Sequence, residues 1–338
     1  MARTAKKSAM QKPRLRGSVR PGVVIGLVNN MSDSALRATE RQFRELLSVA
    51  ARDNITVRLR IFALSELSQS EAARSYVQQN YEDIGELWAQ PIDGLIVTGR
   101  EPSTSLLSDE SYWPTLTKLF DWAEEHTAST IWSCLAAHAA VLHASGINRH
   151  PFREKLSGVY TSTKIADHPL LSEIPKQWRV PHSRYNGLRE DELRSQGYKI
   201  LSQLPDSGAD MFIRDKKSLF IYMQGHPEYE PHTLLSEYRR DIAAFLAGER
   251  ERYPEAPQGY FNRETMKMLA EFRQCALRDR DIDALKTFPV VGDEGKLAHT
   301  WRKPAIRFYA NWLSYLSEKK ARQFDRAEDF ARREHTPI

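Results

Sequence analysis

The sequence predicts an α/β protein built on a mostly parallel sheet with helices on both faces and extra helices at the C-terminal end. Three observations carry this expectation. β-branched runs alternate with helical stretches through the first 145 residues. Two of those runs, Gly94–Thr98 and Ser129–Ser133, read as short buried strands free of charged residues, as strands covered on both faces are. The pattern loses its regularity only beyond Gly146, where antiparallel members are expected to join the sheet.

In order, Val23–Val28 reads as a β-branched strand, followed by a polar loop, residues 29–34, that holds several candidate N-caps. A helix follows, with Leu36, Phe43, Leu46, Leu47 and Ala50 on one stripe. Ile55 to Ala63 alternates as a strand, and one polar helical stretch is expected over 69–88. After the glycine-ended strand 94–99 come a helix over 113–125 and the strand 129–133. Further strands are expected near Val159, Val180, Lys199, Met211 and Phe220, then a helix over 233–246. The two prolines in 253–258 suggest a linker, 264–286 a charged helical stretch, and 304–330 a final helix that is apolar on one side only near its start.

The junction between strand 129–133 and the Ala-rich helix that follows is occupied by Cys134. A thiol at such an elbow faces the free N–H groups of the first helical turn, which stabilise a thiolate, and the Leu135 amide there can hold a tetrahedral oxyanion. This is the nucleophile elbow of serine hydrolases with cysteine as the nucleophile. A partner base is supplied by His226-Pro227-Glu228, which ends the apolar run 219–223. In an extended chain residues two apart share a side, so Glu228 can fix the tautomer of His226, and Pro227 keeps the preceding residue extended. Read locally, Cys134 is equally a small core residue and the tripeptide a solvated turn; their coincidence favours a split Cys-His-Glu triad. His138, four residues beyond Cys134, is the alternative base, expected to pack behind the site. Cys275 has no visible partner and reads as structural.

Composition narrows the function. Two cysteines in 338 residues argue against a disulfide framework and for a reducing, cytoplasmic setting. No apolar stretch reaches membrane-span length, and the start lacks the apolar core of a secretory signal, although an Arg-rich, acid-free start also has something of an organelle transit peptide. Residues 1–20 hold seven Lys or Arg and no acid; subtracting them from the formal +5 leaves −2, so the body is not basic and a nucleic-acid partner is not expected. No P-loop, dinucleotide fingerprint, HExxH or paired CxxC occurs, so neither a bound cofactor nor a metal is expected. The expected organisation is a basic arm over 1–20, one domain over 21–318 with a helical insertion at 264–291, and a charged tail over 319–338.

The stretches Asp93–Gly99, Tyr112–Pro114, Glu154–Tyr160, Pro181–Tyr185, Gly225–Tyr229 and Asn311–Leu313 together resemble, in the same order, the homoserine O-acyltransferases, across roughly residues 22 to 316. That resemblance implies a flavodoxin-like, class I glutamine-amidotransferase-like fold and acyl transfer from acetyl-CoA or succinyl-CoA, as cosubstrate, to L-homoserine in methionine or related biosynthesis. By it, Cys134, His226 and Glu228 are catalytic. Lys155 and Ser183 line the substrate pocket, and Arg240 pairs with the amino-acid carboxylate. An amide of the Gly99-Arg100 turn joins Leu135 in the oxyanion hole, and His182 and Arg184 support the site. The loop 31–37 is longer than the family's and lacks its lysine pair. In the family a small residue in the loop after Gly99 admits succinyl and a carboxylate excludes it; Ser103 falls nearest that position by ungapped count, leaning to succinyl. The partners expected are small molecules, with no membrane, and a homodimer is left open. L-serine as acceptor, or a glutamine amidotransferase or γ-glutamyl hydrolase chemistry, are the enzymatic rivals. A binding module that uses the basic arm is the non-enzymatic one.

Overall fold

The computed structural model describes residues 21–51, 55–67, 69–291 and 299–334, with side chains of the last helix to Asp325. The expected basic arm lies outside these residues. Among the described residues nine strands form one sheet: β1 (Val23–Val28), β2 (Val57–Phe62), β3 (Gly94–Thr98), β4 (Ser129–Ser133), β5 (His150–Lys164), β6 (Gln177–Gly187), β7 (Lys199–Leu204), β8 (Gly208–Asp215) and β9 (Leu219–Met223). Their order is β2-β1-β3-β4-β9-β8-β7-β5-β6. The first five in that order are parallel, and the run from β9 to β6 is antiparallel throughout, so the change foreseen beyond Gly146 is present.

Alternation along the strands feeds two cores. Ile25, Leu27, Ile96 and Ile131 pack on one face against α1 (Asp33–Ala51), whose buried stripe includes the expected apolar positions. The same face takes a long helix over residues 302–334. Val28, Leu95, Val97 and Trp132 pack on the other face, beneath α4 (Trp113–His126) and α5 (Leu135–Ser145). No described helix is long and apolar enough to cross a membrane.

Three elements differ from expectation. The stretch 69–88 is two helices, α2 (Glu71–Asn80) and α3 (Ile84–Ala89). Between them Tyr81 is extended and buried, with its hydroxyl bonded to Asn29, and Asp83 caps α3 by accepting from the Gly85 N–H at 2.7 Å. The supposed linker is pinned: Gln258 donates its N–H to Ser157 and accepts from Val159, both at 2.8 Å, and Tyr253 is buried. The stretch 264–286 breaks at left-handed Arg280 into α8 (Arg263–Asp279) and a 3-10 turn, Ile282–Thr287. Earlier in the chain, between α5 and α8, come α6 (Glu190–Ser195) and α7 (Thr233–Leu246), and α8 packs against α7 through Phe272, Leu269, Tyr238 and Phe245. The last helix, α9 (Arg302–Glu334), continues through residue 319 without a break.

Candidate active site

Parallel pairing of β4 with β9 aligns Ser133 with Met223, so the residues leaving the two strands emerge side by side. The Cys134 N–H donates to Met223 O at 2.7 Å, and the Cys134 carbonyl accepts from Ala137 as α5 begins. This leaves Cys134 at φ 51°, ψ −115°, a conformation that costs a non-glycine residue about 1–3 kcal/mol and is the strain expected of an elbow. The sheet ladder on one side and the helix on the other hold it there.

Three residues past β9, His226 is fixed by its N–H to Pro181 O at 2.8 Å and by stacking on Tyr229, ring centroids 4.3 Å apart. Its Nδ1 lies 2.8 Å from Glu228 Oε1. The pair meets across a turn, closed by the Tyr229 N–H to His226 O, instead of along an extended segment as the spacing suggested. The other ring nitrogen is left to Cys134, which lies within hydrogen-bonding reach. Burial opposes charge on His226, but the Cys134 thiolate and the Glu228 carboxylate outweigh it and raise the imidazole well above its ordinary range.

Around this dyad is a cavity of about 380 Å³ at the C-terminal ends of the parallel strands. It brings together Cys134, His226, Lys155, Ser183 and Arg240, with Leu135 and Arg100 beside the thiol. Glu228 stays behind His226, 4% exposed. Gly99 is where the donor loop touches the elbow: a Cβ there would lie 2.5 Å from Leu135 Cβ and 2.6 Å from the Ala136 N. Gly225 is similar, since a Cβ would come within 2.7 Å of Val180 and 2.9 Å of His182 Nε2.

Ser103 is a correction. Gly99, Arg100, Glu101 and Pro102 line the cavity, whereas Ser103 turns to Glu110, donating its N–H at 2.6 Å and its hydroxyl at 2.9 Å. Thr104 adds its own N–H and hydroxyl, and these bonds hold the buried Glu110 below the usual carboxylate range despite its burial. Counting positions without gaps misses a loop that folds around a carboxylate.

His138 does line the cavity, but its Nε2 donates to Gln224 Oε1 at 2.8 Å. Burial, then the Arg184 charge, push it down to about 3 against that bond, so it remains neutral. His182 is fully buried, its Nδ1 accepting from Arg184 Nε at 3.3 Å and its Nε2 3.2 Å from Asp210 Oδ1. Burial first lowers it to about 4, against the pull of Asp210. Asp210 is in turn held by the Ser162 and Ser202 hydroxyls at 2.6 and 3.0 Å.

Several residues of the site were missed by the sequence reading. Glu237 lines the cavity one helical turn before Arg240; one carboxylate oxygen accepts from the Tyr229 hydroxyl at 2.6 Å and the other is buried without a partner. Asp241, buried on α7, gathers Lys155 at 2.7 Å, Arg250 at 3.4 Å and Arg240 at 3.7 Å. The i, i+3 spacing of Glu237 and Arg240 was a readable sign; the convergence on Asp241 depends on tertiary packing.

Likeness to known proteins accords with this geometry. The sequence model of the homoserine O-succinyltransferase family matches residues 5–322. A homoserine O-succinyltransferase of Rhodopseudomonas palustris is 45% identical over 297 residues, covering 88% of this chain and 89% of that one. One of Bradyrhizobium japonicum is 45% identical over 296 residues, 88% and 90% of the two chains, and one of Methylorubrum extorquens 41% over 297 residues, 88% of each. With matches of this extent the chain belongs to the homoserine O-succinyltransferase family of acyltransferases.

Proposed function

We propose that the protein transfers a succinyl group from succinyl-CoA to the hydroxyl of L-homoserine by a ping-pong route through a thioester on Cys134. The observation that carries this reading is the strained elbow cysteine facing a His226–Glu228 pair inside a cavity that also presents Glu237 and Arg240. Cys134 Sγ attacks the thioester carbon, and the oxyanion forms against the Leu135 and Arg100 amides. The carbon–sulfur bond to CoA breaks, and the CoA thiolate leaves with the proton of the His226 imidazolium. The homoserine hydroxyl then attacks, His226 takes its proton, and the Cys134 thioester bond breaks to restore the thiolate.

The electrostatics support that alternation. In the resting protein the thiolate is one of the groups raising His226. Acylation removes that charge, so the imidazole's affinity for a proton falls when a base is next required. The acceptor fits as a zwitterion, with its ammonium on the unpartnered Glu237 oxygen and its carboxylate on Arg240, forked and charge-assisted. Lys155 and Ser183 complete the wall against water.

Glu101 on the cavity wall is the observation that favours acetyl as donor, since a carboxylate in this loop is what the resemblance associates with exclusion of succinyl. The decisive assay offers acetyl-CoA or succinyl-CoA with homoserine or serine and follows CoA release. Succinyl-CoA with homoserine is expected to be fastest. No rate above the acceptor-free background in any of the four pairs would remove the reading. Incubation with donor alone should add one acyl mass at Cys134, and an adduct on Cys275 would exclude the route.

A further inference from the structure

The guanidinium of Arg184 is built into the floor of the same cavity and is only partly used. The residue lies on β6 one position after Ser183 and is 4% exposed. Its Nε donates to His182 at 3.3 Å, and its Nη1 donates to Asn186 O at 2.7 Å and to Gln224 Oε1 at 3.1 Å. The plane lies over the Phe152 ring, 5.0 Å from its centroid. Gln224, which receives it, is anchored by its own N–H to Asp210 O at 2.9 Å, so the guanidinium cannot swing away. Yet Nη2 is buried without a hydrogen-bond partner, and among the described residues it is the only Lys or Arg nitrogen in that condition.

A buried charged donor left unmade costs more than most lost contacts, so a position like this implies an anion that arrives with the substrate. The other cationic residues of the cavity wall have partners: Lys155 has Asp241 at 2.7 Å, Arg149 has the Ser105 carbonyl at 3.4 Å, Arg240 has Asp241 at 3.7 Å, and Arg100 is engaged as well. Arg184 and Cys134 line the same cavity, so a group attached to that sulfur shares its space with the guanidinium. A succinyl group on Cys134 carries its second carboxylate only two methylenes beyond the thioester carbonyl. The acceptor's carboxylate is already assigned to Arg240, a separate residue of the cavity lining.

We propose that Arg184 recognises the distal carboxylate of the donor's acyl group through Nη2, and adds to the loop after Gly99 a second determinant of specificity for a dicarboxylic acyl donor. This rests on the acyl-Cys134 reading. Gln224 then has a role too: by holding Nη1 it aims Nη2, and by accepting from His138 it keeps that neutral ring from competing for the anion.

The test compares succinyl-CoA with butyryl-CoA, which has the same chain length and a methyl in place of the carboxylate, in single-turnover acylation read by intact mass. The parent should favour succinyl. In Arg184→Gln the succinyl-to-butyryl rate ratio should fall about a hundredfold, as loss of a buried charge-assisted contact predicts, while the KM for homoserine stays within about threefold. Because a ratio is read, general damage to the thiolate cancels. An unchanged ratio, a parent indifferent to the two donors, or a raised homoserine KM with the ratio intact overturns the assignment. Should Arg184→Gln fail to fold, Arg184→Lys decides: lysine keeps the charge but not the fork, and the ratio should still fall about tenfold. Absence of any Cys134 adduct in the parent would instead defeat the covalent reading itself, and use of acetyl-CoA alone would defeat the succinyl reading.

Discussion

His226 shows how single residues set the chemistry. Its proton is retained well above the ordinary histidine range because a thiolate and a carboxylate face it in a buried setting. The folded value is the raised one, so the stability this pair contributes is complete below the unfolded histidine range and is lost as pH rises through the folded value. Cys134→Ala should therefore lower the His226 pKa, measured by NMR titration of the ring; an unchanged titration would mean that Glu228 alone sets it. On the proposed reading, Arg240 acts on the acceptor only. Arg240→Ala should raise the homoserine KM at least about tenfold and leave acylation by donor alone near normal, and equal slowing of both half-reactions would remove the carboxylate contact. At this scale the sequence was informative where chemistry is local: Cys134, His226 and Glu228 were readable from a strand end and a tripeptide. Arg184 entered only through the resemblance, as a support of the site, and Asp241 not at all, because an arginine on a strand and an aspartate on a helix look solvated until neighbouring strands and helices bury them.

Elements decide where those residues point. The elbow exists because β4 ends in register with β9 and α5 starts at once, and the donor loop leaves β3 close enough to pack on the first turn of α5. Gly99→Ala places a methyl against backbone that cannot yield as a flexible side chain would. It should slow acylation by about two orders of magnitude, the scale of losing one oxyanion donor, and lower stability by about 1–3 kcal/mol, as overpacking does. Wild-type acylation in that variant would show that the loop can retreat without cost and takes no part in the oxyanion hole. The same scale shows why the presence of strands was more legible than breaks within helical stretches. Apolar, β-branched or alternating runs announced the five parallel strands. The division of 69–88 followed from Tyr81 turning inward to Asn29, and that of 264–286 from left-handed Arg280, whose side chain donates to Phe245 O at 3.1 Å. Both are tertiary demands that override helical periodicity.

At the scale of the whole molecule, the site lies at one end of the sheet and α9 secures the sheet's face beneath the parallel strands. Its first half is core: Phe308, Tyr309, Trp312, Leu313 and Leu316 are buried, Trp312 donates to Ser129 Oγ at 3.0 Å, and Gly94 has no room for a Cβ because Leu316 and Trp312 fill it. Its later half is different. Lys320 pairs with Asp93 at 2.7 Å in a half-buried ion pair, and Phe324 is exposed. Trp312→Ala should therefore cost about 3–5 kcal/mol, the usual price of emptying a large aromatic site in a core. Removal of residues 319–338 should cost about 1 kcal/mol, the scale of one partly exposed ion pair. Denaturant unfolding of both variants measures this directly, and the acceptor KM of each, taken where the protein is folded, should match the parent because neither change touches the cavity wall. If the truncation destabilised as much as Trp312→Ala, the charged end of α9 would be part of the core. If Trp312→Ala changed the acceptor KM at constant fold, the sheet would be transmitting packing to the elbow, and the separation of scaffold from site would fail.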